Sequence, residues 1–146
     1  MLKDYENILV AVDGSKNGEK AFNKACRIAK NVDARLVIAH VVDYRTFATI
    51  EHYSQTILPE VERVGKELLK EYEEKATQLG VEQVTTVLEF GSPRQKIPKT
   101  IAKKYEIDLI LTGATGLNAV ERVMLGSVSE AITRTAPCDV LIVRSE

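Results

Sequence analysis

A chain of 146 residues with a formal net charge of -1 is long enough to bury its own core as a single domain. Lysine and arginine (20) nearly balance aspartate and glutamate (21) and form no basic stripe, which argues against a nucleic-acid partner. No apolar run approaches the ~20 residues that cross a bilayer, and Met1 to Asn7 is polar and acidic without a leader pattern, so no membrane association and a cytoplasmic location are expected.

In chain order, Asn7 to Val12 is a short continuous apolar run that ends in the turn signal Asp13-Gly14-Ser15. A run apolar on both faces predicts a central parallel strand covered by helices on each side. Lys16 to Val32 follows, with Ala21, Phe22, Ala25, Ile28, Ala29 and Val32 at helical spacing and Ser15 placed to cap the start. Arg35 to Val42 predicts a second buried strand, with His40 inside it as a hydrogen-bonded core or strand-edge histidine. Asp43 to Thr56 is polar and irregular and predicts a flap or interaction segment; His52 within it has no acid–base partner in sequence. Ile57 to Leu79 predicts a long amphipathic helix whose inward stripe is Ile57, Val61, Val64, Leu68, Tyr72, Ala76 and Leu79, stopped by Gly80.

Val84 to Phe90 is β-branched and predicts the third strand. Ser92 and Gln95 stand at capping-box spacing around Pro93, opening a helix that turns Ile97, Ile101, Ala102 and Tyr105 inward. Pro98 conflicts with a regular helix there, so either the helix kinks at Pro98 or its regular part begins near it. Ile107 to Thr112 predicts the fourth strand. A last helix starts at Ser127, paired with Glu130 in a second capping box, and runs to about Ala136, where Pro137 stops it; Asp139 to Arg144 is the fifth strand. The alternation predicts a five-stranded parallel α/β sheet with helices on both faces. Cys26 and Cys138 read as small buried thiols, and no Cys-x-x-Cys or His-x-x-x-His spacing is present to hold zinc.

The segment between the fourth strand and the last helix carries the chemistry. Gly113-Ala114-Thr115-Gly116 is followed by nine residues and then Gly126-Ser127-Val128-Ser129. Glycines let a ligand approach the backbone, and a helix start presents unpaired N–H groups and partial positive charge, so the expected ligand is a phosphate. Thr115, Ser127 and Ser129 add hydroxyls. The pattern is neither Gly-x-Gly-x-x-Gly nor a P-loop, and the lysine that bridges terminal phosphates is missing. Arg122 reads either as added charge for the phosphates or as a solvated surface arginine. Asp13 reads either as a ligand for ribose, adenine or a divalent ion shared with phosphates, or as a turn residue ahead of the helix. In doubly wound sheets ligands bind outside the carboxyl ends of the strands, where Asp13, Val41 and Gly113 fall. No nucleophile elbow or carboxylate dyad stands out, so no catalytic residue is assigned.

The chain resembles the ATP-binding branch of the universal stress protein family along its whole length: Asn7 to Ser15, His40-Val41-Val42, Gly91-Ser92-Pro93, Asp108 to Gly113, Leu125 to Glu130 and Ala136 to Val143. The resemblance implies a Rossmann-like doubly wound sheet of order 3-2-1-4-5, akin to the adenine nucleotide alpha hydrolases. It implies ATP or another adenine nucleotide, with Mg²⁺ or Mn²⁺ accompanying it, the base near Ala11, Val12, Asp13 and Val41, and ribose and phosphates on Gly113, Thr115, Gly116, Gly126, Ser127, Val128 and Ser129. It also implies a homodimer joined through Val140 to Val143. Ala114, Thr115 and Asp139 depart from residues common in relatives. The leading expectation is a nucleotide-binding stress-response switch or sensor with a protein partner. The alternatives are a weak ATP hydrolase or nucleotidyl or phosphoryl-transfer enzyme, and a nucleotide-free dimeric interaction module.

Overall fold

The computed structural model describes residues 5–43, 54–114 and 125–144. Five parallel strands, β1 (Asn7–Ala11), β2 (Arg35–Val42), β3 (Val84–Phe90), β4 (Leu109–Gly113) and β5 (Asp139–Val143), form one sheet of order β3-β2-β1-β4-β5. On one face lie α1 (Lys16–Val32) and α2 (Ser54–Gln78). Their side chains share a core with Ile8, Val10, Leu36, Ile38 and Leu111. On the other lie α3 (Pro93–Gln95), a π-helical turn (Lys96–Ile101), α4 (Ala102–Lys104) and α5 (Ser127–Thr135). There Ile97, Ile101 and Ile132 meet Leu9, Val37, Ala39 and Ile110. The two cores explain why β1 and β2 read as unbroken apolar runs: odd and even residues both need an apolar partner. The winding reverses between β1 and β4, and the carboxyl ends of these strands separate there.

Helix α1 has the expected bounds, and Ser15 caps it, its Oγ accepting from the Gly18 N–H at 3.1 Å. Replacing Ser15 by alanine is expected to cost about 1 kcal/mol, read as a lower denaturant midpoint with unchanged m-value. A change below a few tenths would mean that water satisfies Gly18 equally well. At the other end Asp33 takes the left-handed conformation, with φ at 58°.

Helix α2 begins at Ser54, before the expected Ile57, and its inward face is rotated from the expected stripe. Gly65, Leu69, Tyr72 and Ala76 are buried, whereas Val64 and Leu79 are 51% and 47% exposed. Gly65 is the reason: a Cβ there would stand 3.0 Å from Leu88 Cδ1, so the helix backbone lies against β3 at a residue that an apolar count skips. The outward face carries the ion pairs of Arg63 with Glu60 and Glu67 and of Lys66 with Glu62, exposed contacts that add little stability.

The Pro98 conflict is resolved by widening. Lys96–Ile101 takes π-helical geometry with Ile97, Pro98 and Ile101 buried, a local register that tolerates a missing N–H donor. Neither expected capping box forms. Ser92 is the N-cap of α3 but its side chain makes no capping bond; its carbonyl accepts from Gln95 and Lys96 instead. The cap of α5 is Gly126, with Ser127 already the first helical residue and Glu130 paired outward with Arg134 at 3.0 Å. Strand β4 begins at Leu109, and just before it the Asp108 carboxylate accepts from the N–H groups of Glu6 and Asn7 at 2.9 and 3.2 Å.

Candidate functional site

The candidate site lies where β1, β2 and β4 end on the same side of the sheet. Ala11 is the last residue of β1 and half-buried; Val12 is buried behind it and its N–H donates to the Ala39 carbonyl at 2.8 Å. Asp13 is exposed at the strand exit. Its Oδ1 accepts from the Ser15 N–H at 2.9 Å, and Gly18 lets α1 start so close that a Cβ there would stand 3.1 Å from that oxygen. Asp13 therefore shapes the turn into α1 and still presents its carboxylate to solvent. Val41 is half-buried near the end of β2. Between them, His40 turns its ring onto the strand exit, with Nδ1 2.8 Å from the Val12 carbonyl.

Across the reversal point, Gly113 closes β4 and is buried. Its carbonyl accepts a hydrogen bond from Ser129 Oγ, and Thr112 Oγ1 stands 3.5 Å from that same hydroxyl. Ser129 is only 4% exposed, so its side chain serves the Gly113 carbonyl and what it turns to the cleft is backbone. Gly126 donates its N–H to the Ala114 carbonyl at 2.7 Å, and Ala114 donates its own to Val143 of β5 at 3.0 Å. The chain thus leaves β4 and enters α5 through one clasp. The first intrahelical bond of α5 runs from Glu130 to the Gly126 carbonyl at 2.9 Å. The N–H groups of Ser127, Val128 and Ser129 precede it, and the N-cap, Gly126, has no side chain to cap them. Ser127 is exposed, while Val128 is half-buried against the α5-side core.

The structure brings together Ala11, Val12, Asp13 and Val41 through sheet register, and Gly113, Gly126, Ser127, Val128 and Ser129 through the clasp, along one edge. Thr115, Gly116 and Arg122, with His52 and most of the Asp43 to Thr56 segment, lie outside the described residues. Two contributors escaped the sequence reading. Ala114 works entirely through its backbone, so its side chain gives no signal. His40 was legible as a satisfied histidine, but its partner across β1 was not.

Among the described residues no three His, Cys, Asp or Glu side chains gather to hold a metal. Burial pushes the Cys26 thiol up to about 12 and, with Asp108 and Asp139 adding to it, the Cys138 thiol to about 11; neither is a ready nucleophile. A separate open groove of about 410 Å³ between α2 and β3, lined by Lys66, Leu69, Lys70, Glu73, Thr86 and Leu88, lies away from the cleft. Among the described residues no helix is long and apolar enough to cross a membrane.

A parallel sheet of this order with a glycine-flanked helix start at its reversal point defines a Rossmann-like α/β domain of the nucleotide-binding type. The sequence model of the universal stress protein family matches residues 4–144. A Staphylococcus haemolyticus protein bearing the universal stress protein name is 54% identical over 142 residues, covering 97% of this chain and 86% of that one. The chain belongs to the universal stress protein family. Among solved structures, the universal stress protein UspA from Lactobacillus plantarum superposes with a TM-score of 0.82 at 31% identity, covering 96% of this chain and 98% of that one. A universal stress protein in complex with cAMP superposes with a TM-score of 0.72 at 25% identity, covering 98% and 99%.

Proposed function

We propose that this cleft binds an adenine nucleotide, ATP first among them, and that the protein is a dimeric stress-response switch read by a protein partner. The observation that carries the reading is the uncapped start of α5 held beside Gly113 at the point where β1 and β4 part. Three N–H groups and the positive end of the helix face a space that needs an anion. In this reading Gly113, Thr115, Gly116, Gly126, Ser127 and Val128 hold ribose and phosphates, and Ser129 contributes its N–H while its hydroxyl braces the Gly113 carbonyl. Ala11, Val12, Asp13 and Val41 receive the base and sugar. Mg²⁺ or Mn²⁺ enters with the phosphates, with Asp13 as its protein carboxylate. The related protein solved with cAMP supports an adenine nucleotide as the ligand class.

The dimer forms through Val140 to Val143, the apolar outer strand β5, whose pairing would cover an edge otherwise open to unwanted association. A cytoplasmic protein meets ATP at the concentrations such a switch needs.

The test is mass spectrometry of small molecules released from freshly purified protein, wild type beside Gly126→Val. Gly126 has φ -64° and ψ 159°, a conformation open to any residue, so the variant carries no backbone strain, and circular dichroism of the variant checks that the fold is kept. Its side chain stands where the phosphates enter, and losing two charge-assisted hydrogen bonds at about 1.5–3 kcal/mol each weakens binding ~100-fold or more. Nucleotide retained at full occupancy by the variant would sink the site assignment.

A further inference from the structure

The β1–β2 ladder stops one bond early, and a side chain stands at the place where it stops. In a parallel strand the N–H and C=O of one residue point to the same neighbour, and successive residues alternate between neighbours. The Ala39 carbonyl accepts from Val12, just past the end of β1, and the Arg35 N–H reaches Glu6, just before its start, so the odd residues of β2 face β1. The even residues face β3: the Leu36 N–H reaches Gln83, and the Val42 carbonyl accepts from Gly91. The N–H and C=O of Val41 therefore point toward β1. Continued by one bond, the ladder would join the Val41 N–H to the Val12 carbonyl, yet the pairing ends at Ala11 with Ala39. The Val12 carbonyl is instead held by Nδ1 of His40 at 2.8 Å. A carbonyl only accepts, so the ring carries its hydrogen on Nδ1.

The direction of that bond matters. Leu36, Ile38 and His40 alternate onto the face covered by α1 and α2, and a Cβ on Gly65 of α2 would stand 3.5 Å from His40 Cδ2. The ring, backed by α2, holds the Val12 carbonyl from that face, where the Val41 N–H would otherwise meet it. One donor and one acceptor of Val41 are left facing the exit of β1, unclaimed by that strand.

We infer that His40 is a positioning residue: it caps the Val12 carbonyl so that β1 and β2 stay parted and the Val41 backbone remains available to a ligand. The link to nucleotide binding rests on the proposed reading of the cleft; the effect on the ladder does not. His40→Leu removes the cap, and the Val41 N–H then closes onto the Val12 carbonyl. His40→Asn puts an amide donor close to the position of Nδ1 and keeps the cap.

Amide exchange of Val41, followed by NMR in nucleotide-free protein, reads the ladder directly, with Leu36 and Val42 as references for intact pairing. The expected result is fast exchange of Val41 in wild type and His40→Asn, and roughly tenfold slower exchange in His40→Leu, the worth of about one hydrogen bond. ATP binding falls about tenfold in His40→Leu and is kept by His40→Asn, while binding of inorganic triphosphate is equal in all three. A Val41 amide already protected in wild type would overturn the inference. So would a His40→Leu protein that loses thermal stability but leaves Val41 exchange unchanged, and so would wild-type ATP affinity in that variant. If wild type binds no nucleotide, the reading of the cleft fails, and the exchange comparison still decides the role of His40.

Discussion

Phe22→Ala is expected to lower the unfolding free energy by about 3–5 kcal/mol, a large part of the 5–15 kcal/mol typical of a domain. Phe22 is fully buried on the inward face of α1, in one core with Ile8, Val10, Leu36 and Ile38. Its ring meets Tyr72 of α2 edge-on, centroids 4.7 Å apart at 62°, so it joins the two helices of this face. Removing it loses transfer free energy and an aromatic contact, and it leaves a void that two helices held by the sheet cannot both move to fill. Tyr72 would then border the cavity. Burial, followed by the charges of Glu19, Asp13 and Glu71, raises its hydroxyl pKa. Urea unfolding followed by circular dichroism gives the number; a cost under 1 kcal/mol would show that α1 and α2 repack freely, contrary to the packing described.

Ile142→Pro is expected to convert the proposed dimer to a monomer with little loss of fold. Val143 of β5 turns its carbonyl to Ala114, and Leu141 pairs with Leu111, so the odd residues of β5 direct their polar groups to β4. By alternation Val140 and Ile142 direct theirs to the outer edge. Proline at 142 therefore removes an outward N–H and spares the inner ladder, and edge strands tolerate it for that reason. Sedimentation should give twice the chain mass for wild type and the single chain mass for the variant. A dimer that persists unchanged would place the interface elsewhere. A Leu141→Pro control strikes the inner ladder instead and should destabilise the fold itself.

The fold was legible where one residue pattern had one physical solution. Arg35 to Val42 and Val84 to Phe90 were read with their observed bounds because continuous apolar or β-branched runs of that length have few other uses. Helix α1 was bounded by Ser15, whose cap is local in sequence. The failures lie where a distant partner overruled a local pattern. Val64 and Leu79 look inward on a helical wheel, but α2 comes close to β3 at Gly65, against Leu88, which no periodicity reports. Ser127 and Glu130 have capping-box spacing, yet Gly126, tied to Ala114, takes the cap position and leaves Ser127 as the first helical residue.

The candidate site divides in the same way. Asp13, Val41 and Gly113 were placed at strand ends because a doubly wound sheet leaves its ligand no other edge. The use of Ser129 as a brace for Gly113, sixteen positions away, is a tertiary fact that a hydroxyl in a sequence does not disclose.

The clasp at Ala114 has one further consequence. Its carbonyl receives Gly126 and its N–H reaches Val143, so the eleven residues from 115 to 125 depart from and return to a single point already fastened to the sheet. A chain tethered in this way behaves as a cassette. Its length and composition can drift by insertion, deletion or exchange, each doubling of length costing only about 0.6 kcal/mol in closure entropy, while the strand order and helix start remain fixed beneath it. An insertion or deletion between 115 and 125 is therefore expected to leave the strand order and the start of α5 as they are.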